Sequence, residues 1–268
     1  MNHQKPTEFH TAKRRLQSTL ACILILVFTS VFTAALATNP GIAFSDAEQN
    51  ARSIKDLTAA IKRNPKNWSS YEKRAMAYHL LGDNSKAISD YSKAISLDAK
   101  QPSLYESRAL RYADMRQFSK AIKDCNTAIG LIPHDYIKYE YADTYVTRAQ
   151  VYRKYKQYKK ALADCNTAVG FAPKVASLSA LTRSGTYFNS VIARHGIASA
   201  YRERAMLYYQ QGKLNNAIAD LSKSISIEPK SANSYAMRAI VYQKLGMTEK
   251  ASADFNTSKT LAPELIHD

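Results

Sequence analysis

Apolar side chains return along this chain in stripes with helical spacing. Tyr71, Arg74, Ala75 and Tyr78 stand at i, i+3, i+4 and i+7, one face of a helix. After Gly82-Asp83, a second stripe runs through Ala87, Ile88, Tyr91, Ala94 and Ile95. Further along, Gly212 and Gly246 mark the same kind of turn, and Pro133, Pro173, Pro229 and Pro263 stop the second helix. A residue before proline is steered out of the helical region, which makes these positions stops. The predicted unit is a hairpin of two helices.

The hairpin recurs. Tyr-x-x-Arg-Ala-x-x-Tyr appears at 71–78, 105–112, 145–152, 201–208 and 235–242, each followed by an Ala and an Asp: Ala87 and Asp90, Ala121 and Asp124, Ala161 and Asp164, Ala217 and Asp220, Ala251 and Asp254. The arginine steps 74, 108, 148, 204, 238 and the aspartate 90, 124, 164, 220, 254 give the same spacings, 34, 40, 56 and 34. Five units therefore cover 68–101, 102–135, 142–175, 198–231 and 232–265, with insertions at 136–141 and 176–197. A unit of this size buries its apolar face only against a neighbour, so the array folds by stacking. Stacked hairpins form an extended surface rather than a dry pocket, which speaks against an enzyme.

Both ends of the array read as closed. In units one to four the second helix offers the next unit a pair of apolar residues (Ile88 and Ile95, Ile122 and Ile129, Leu162 and Val169, Ile218 and Ile225), and in unit five these become Ser252 and Lys259. Terminal repeats need such a polar outer face. At the other end Ile54, Leu57, Ala60, Ile61 and Pro65 copy the second-helix pattern without a first helix, so 46–64 is read as a capping helix within a linker-and-cap region 38–67.

These positions resemble the tetratricopeptide repeat. The unit of 34 residues agrees, with Tyr at the fourth and eleventh places, Ala at the eighth and twentieth, Ala (or Ser224 and Ser258) at the twenty-seventh and Pro at the thirty-second. Unit one departs with Asp98-Ala99, and Arg stands at the seventh place where the family usually has Leu. The resemblance implies an all-α fold, a right-handed α-solenoid, and a role in binding a protein or peptide. It also implies a concave groove lined by the second, fifth, sixth, ninth, twelfth and thirteenth places of the first helices. Here the ninth place holds Met76, Leu110, Gln150, Met206 and Ile240, an apolar, partly methionine strip suited to an adaptable contact. Glu72, Arg153, Lys154, Arg202 and Lys244 surround it, the cations adding electrostatic selection. The pattern with which some family members clamp acidic chaperone tails is missing, since Glu72, Met76 and Ser107 occupy its places.

Repetition also sorts the polar residues. An Arg on the first helix and an Asp on the second in every unit read as an intra-unit ion pair, the planar guanidinium matching a carboxylate. Twelve tyrosines, the ten of the stripes with Tyr91 and Tyr158, are assigned to the core. Tyr136, Tyr139, Tyr141 and Tyr187 fall in the insertions, and Tyr155 and Tyr209 near helix ends. Cys125 and Cys165 hold equivalent places in successive units, too far apart for a disulfide, and read as small buried hydrophobes.

Charge enlarges the list of partners. The net charge of +16 attracts acidic surfaces. Its densest stretch, Tyr152-Arg153-Lys154-Tyr155-Lys156-Gln157-Tyr158-Lys159-Lys160, makes Arg153, Lys154, Lys156, Lys159 and Lys160 candidates for contact with anionic lipid or cell-wall polymer. Nucleic acid is disfavoured because the N-terminus directs the chain outwards. Lys13, Arg14 and Arg15 precede an uncharged run of 22 residues, Leu16–Ala37, ending in small residues. This is the pattern of a signal peptide, long enough to serve equally as a signal anchor, so an exported or membrane-tethered protein is expected. Removing residues 1–37 takes away four cations and one acid and leaves +13 of the +16, so the basicity belongs to the array. The sequence has no Gly-rich phosphate loop, nucleophile elbow, zinc-binding His-Glu-x-x-His or paired Cys motif, and no metal or cofactor is expected.

Overall fold

The computed structural model describes residues 40–132, 141–172 and 186–262, with only the backbone path for 40–46 and 186–193. Two compact units divide the chain. One, Met1–Asp46 with Glu264–Asp268, lies almost wholly outside the described residues, and so do the Leu16–Ala37 run, Tyr136 and Tyr139. The other, Ala47–Pro263, holds the array. Its fold is an all-α solenoid, and the described residues contain no strand.

Eleven helices are described: α1 (Pro40–Arg63), α2 (Trp68–Leu80), α3 (Asn84–Leu97), α4 (Pro102–Asp114), α5 (Phe118–Gly130), α6 (Ala142–Lys154), α7 (Tyr158–Val169), α8 (Thr186–Gln210), α9 (Leu214–Ile227), α10 (Ala232–Lys244) and α11 (Thr248–Leu261). After α1 they pair as hairpins α2–α3, α4–α5, α6–α7, α8–α9 and α10–α11, each stacked on the next. Two helices begin earlier than the sequence pattern indicates. The capping helix starts at Pro40 rather than 46, and α8 starts at Thr186, so the end of the long insertion is a helical extension. Gly196 lies in that extension. A Cβ there would meet Ala142 Cβ at 3.0 Å and the Asp143 backbone nitrogen at 3.1 Å, so glycine lets α8 approach the start of α6.

Small residues set the distance between helices. The eighth- and twentieth-place alanines are all buried, and Ala94, Ala128 and Ala168 fill the twenty-seventh place. Where serine replaces alanine there, its hydroxyl is satisfied: Ser224 Oγ donates to the Ala198 carbonyl at 2.9 Å, and Ser258 Oγ to that of Ala232 at 3.0 Å. The tenth place joins neighbouring units. Val151 packs with Ala109, Ala121 and Cys125, Leu207 with Ala149, Ala161 and Cys165, and Val241 with Ala205, Ala217 and Leu221. Cys125 and Cys165 are free and fully buried, as small hydrophobes would be. Burial pushes the Cys125 thiol up to about 12 and raises that of Cys165 as well.

All five first helices end alike. The residue at the sixteenth place donates its N–H to the eleventh-place Tyr carbonyl at 2.8–3.0 Å, and the fifteenth donates to the twelfth-place carbonyl. This double bond pattern requires a left-handed residue at the fifteenth place. Gly82, Gly212 and Gly246 supply it at φ 79°, 74° and 74°, whereas units two and three hold Arg116 and Lys156 there at 59° and 61°. Capping of the second helix varies too. Asp83 accepts from the Lys86 N–H, but Gln117 and Gln157 make no capping bond and leave buried Oε1 atoms without a partner among the described residues.

Candidate functional site

The charged ladder is structural. Arg74, Arg108, Arg148, Arg204 and Arg238 each bind the aspartate of their own hairpin through two nitrogens: Nε to Oδ2 at 2.7–2.8 Å and Nη2 to Oδ1 at 2.7–2.9 Å. The third nitrogen reaches back one hairpin. Arg74 donates to Thr58, Arg108 to Ser92, Arg148 to Asn126, Arg204 to Asn166 and Arg238 to Ser222, at 2.8–3.0 Å. The fourth- and eleventh-place tyrosine rings flank each guanidinium; around Arg148 both centroids lie at 5.9 Å. Each arginine thus closes its own hairpin and fastens it to the preceding one or, for Arg74, to the capping helix α1.

The ninth-place row differs from the tenth. Tenth-place side chains are buried, while Met76 is 53% exposed and Leu110, Gln150, Met206 and Ile240 remain half-buried. Water therefore reaches the strip of four apolar residues. Glu72 beside it is half-buried, its carboxyl raised by burial and partly offset by Lys73.

The cations assigned to the groove are engaged within the protein. Arg153 Nε pairs with Glu203 of the next unit, and Lys154 Nζ with Asp114 of the preceding one. Arg202 donates to Ser199 Oγ at 3.0 Å and to Ser231 Oγ at 3.5 Å, and Lys244 Nζ stands 4.4 Å from the centre of the Tyr209 ring. Among the candidate cations, Lys156, Lys159 and Lys160 are exposed at the third turn, with Lys160 Nζ 5.5 Å from the centre of the Tyr152 ring. Tyr158, assigned to the core from its register, is 39% exposed, because the first residue of α7 stands at the hairpin tip.

Arg111 passed unnoticed in the sequence. It is buried at the tenth place, where the other four units have Ala77, Val151, Leu207 and Val241. It pairs with Asp114 at 3.2 Å, while its Nη1 has no partner among the described residues. Burial and the facing Arg111 hold the His79 imidazole below its ordinary value. The signal was a single charge in an otherwise apolar column. Among the described residues, no group of three or more His, Cys, Asp or Glu side chains could hold a metal ion, and no helix is long and apolar enough to cross a membrane.

Comparisons with known proteins agree with this geometry. Profiles described as tetratricopeptide repeat match residues 38–102, 142–175 and 232–265, and one described as TPR repeat matches 206–246. No curated protein matches the sequence. Among solved structures, the type IV pilus biogenesis factor PilW is 18% identical with a TM-score of 0.56, covering 89% of this chain and 96% of that one. BtubC from P. vanneervenii is 17% identical with a TM-score of 0.55, covering 84% and 93%. The Cut9-Hcn1 structure of the APC/C is 14% identical with a TM-score of 0.57, covering 88% of this chain and 44% of that one. Identities this low speak for the fold alone. The recurring places of the hairpin, the stacked helix pairs and the matching profiles agree: the chain belongs to the tetratricopeptide-repeat family.

Proposed function

We propose that the array is a non-enzymatic interaction scaffold that holds a segment of a partner protein along its first helices, in a concave groove. The supporting observation is the contrast between adjacent columns. The tenth place is spent on packing between units, while the ninth keeps Met76, Leu110, Met206 and Ile240 open to solvent. An exposed apolar row on a folded surface is a feature of contact sites, and methionine adapts to varied partners. Because Arg153 and Lys154 are paired with acids, apolar contact supplies most of the affinity and charge mainly governs encounter. On this reading the scaffold works in the exported space or tethered at a membrane, a placement that rests on the basic start and uncharged run Leu16–Ala37.

The test compares the full chain with its Met206→Glu variant as bait in the cells that make it, with captured proteins identified by mass spectrometry. The expected result is a set of proteins lost with Met206→Glu and retained when the experiment is repeated at high salt. Equal capture by both baits, with circular dichroism showing both folded, refutes the groove. N-terminal sequencing of the mature protein decides between cleavage and a retained anchor, an end at Thr38 meaning cleavage.

A further inference from the structure

Of the eight large hydrophobic side chains that stand exposed among the described residues, all but Met76 lie at or beside the turn between the two helices of a hairpin. Among the described residues, exposure of large hydrophobic side chains is therefore concentrated on the turn edge of the array. In units one to three, contacts between side chains make that edge continuous. Ser85 Oγ lies 4.0 Å from Met115 Sδ, joining turns one and two, and Phe118 stacks on Tyr155 with centroids 4.8 Å apart, joining turns two and three. Leu81, Met115, Tyr155 and Tyr158, each 39–43% exposed, are its apolar tips.

The same edge is basic. Its acids are already matched: Asp83 pairs with Lys86 at 2.8 Å, and Asp114 with Lys154. Arg116, Lys120, Lys156, Lys159 and Lys160 are exposed with no carboxylate partner among the described residues. Two of these cations occupy the left-handed position that glycine fills in the other three turns. An L side chain adopts that conformation only at a cost, and local strain that persists points to a use. The neighbouring Gln117 and Gln157 leave buried oxygens unpartnered, so turns two and three are doubly suboptimal as turns.

We propose that the turn edge of units one to three docks the array on the surface of an anionic lipid bilayer. In this arrangement Arg116, Lys120, Lys156, Lys159 and Lys160 meet lipid phosphates, and Met115, Tyr155 and Tyr158 enter the headgroup layer. Charge complementarity alone would suit any polyanion. The apolar tips select the bilayer, because leucine and methionine gain little from a hydrated glycan or nucleic-acid backbone, whereas interfacial binding grows with buried apolar area and tyrosine favours the headgroup level. The edge is distinct from the ninth-place strip, and the proposal stands whether or not that strip binds a partner.

The experiment uses the full chain carrying Trp68→Phe and Tyr155→Trp, so that the single indole reports on the edge, incorporated into vesicles by detergent removal. Vesicles are phosphatidylcholine alone or with roughly one third phosphatidylglycerol, and their acyl chains are brominated near the headgroup. On the anionic vesicles the indole emission is expected to shift to the blue and be quenched, and about 1 M salt should reverse both. Each cation near such a surface is worth about five-fold in partitioning. Lys156→Ser, Lys159→Ser and Lys160→Ser together should thus weaken contact about a hundred-fold and bring quenching down to the phosphatidylcholine level. Equal quenching on both vesicle types, quenching that survives high salt, or none at all overturns the proposal. So does a blue shift of equal size when single-stranded DNA is added to the phosphatidylcholine sample, which assigns the edge to polyanions instead. The salt arm needs no substituted lysines and decides the matter even if the triple variant fails to fold.

Discussion

Replacing Arg148 with methionine tests the reasoning behind the whole array, because the arginine joins three helices. Its side chain is 21% exposed and that of Asp164 only 8%. Arg148→Met keeps the apolar stem but leaves Asp164 buried without its partner, a loss of about 3 kcal/mol at the low end for broken buried pairs. The bond from Nη1 to Asn126 at 2.8 Å contributes about 1 kcal/mol more, and the flanking Tyr145 and Tyr152 rings about 0.5 kcal/mol each. The expected total is about 4–5 kcal/mol, a large part of the 5–15 kcal/mol of a typical domain. Removing both charges with Arg148→Met and Asp164→Leu leaves no orphaned carboxylate, so the double variant should lose only about 1–2 kcal/mol. Urea unfolding followed by circular dichroism gives the totals. Hydrogen exchange then locates the loss, which should centre on α5, α6 and α7 and spare α10 and α11, since each hairpin in a repeat array depends mainly on its neighbours. A cost below about 1 kcal/mol for Arg148→Met, or a double variant costing the sum of the two single ones, refutes the structural role of the pair.

Arg116→Gly and Lys156→Gly should each stabilise the protein by about 0.5–1 kcal/mol. Relief of left-handed strain, about 1–2 kcal/mol, exceeds the extra freedom that glycine adds to the unfolded chain, and the urea midpoint is the readout. Gln117→Asp should add about 1 kcal/mol by capping α5 as Asp83 caps α3, and an unchanged midpoint counts against the reading of that turn. With Cys22→Ser removing the thiol outside the array, Cys125 and Cys165 should react with a disulfide reagent at pH 8 at least about a thousand-fold more slowly than in urea; fast labelling of the folded protein would show that their burial is wrong. Burial raises the Glu106 carboxyl, which accepts from Thr144 Oγ at 2.6 Å. The folded state therefore holds this proton to higher pH than the unfolded state, and its contribution to stability falls as pH rises through that window. Glu106→Gln, which keeps the acceptor, should be more stable than the parent at pH 7, an advantage that disappears by about pH 4; parallel pH curves for the two proteins would refute it.

The hairpin, its stacking and the Arg–Asp pair could be read from the sequence because the same demand recurs in every unit, and repetition separates a structural residue from an incidental one. What escaped reading occurs once, or depends on residues far apart. The turn glycines were visible at 82, 212 and 246, but carbonyls of Tyr112 and Tyr152 impose the same left-handed geometry on Arg116 and Lys156, and no residue type announces it. Arg153 and Lys154 fall in a row beside the apolar strip, yet their acids, Glu203 and Asp114, lie 50 and 40 residues away, brought near only by the register of stacked hairpins. Tyr158 fits the periodic core pattern, but at the first position of a helix no preceding turn covers its ring. The start of α8 escaped for another reason: the insertion matches no other unit, so residues 186–197 had no counterpart against which to be aligned.

Where the positive charge ends up bears on what the proposed groove can hold. Five arginines are matched by five aspartates inside the hairpins, and Arg153 and Lys154 are matched by acids across units, so among the described residues only half of the cations assigned to the groove, Arg202 and Lys244, stand without a carboxylate partner. Among the described residues, the unmatched cations of units two and three, Lys123 apart, gather instead at or beside the turns. A partner acid that paired with Arg153 would have to displace Glu203, leaving a buried carboxylate uncompensated. On the proposed reading the groove therefore selects apolar side chains with few charges between them, a contact that tolerates salt, while the turn edge attracts at a distance and lets go as salt rises. On these two proposals, a salt-tolerant groove and a salt-sensitive edge on one array let it keep a partner while its hold on an anionic surface changes.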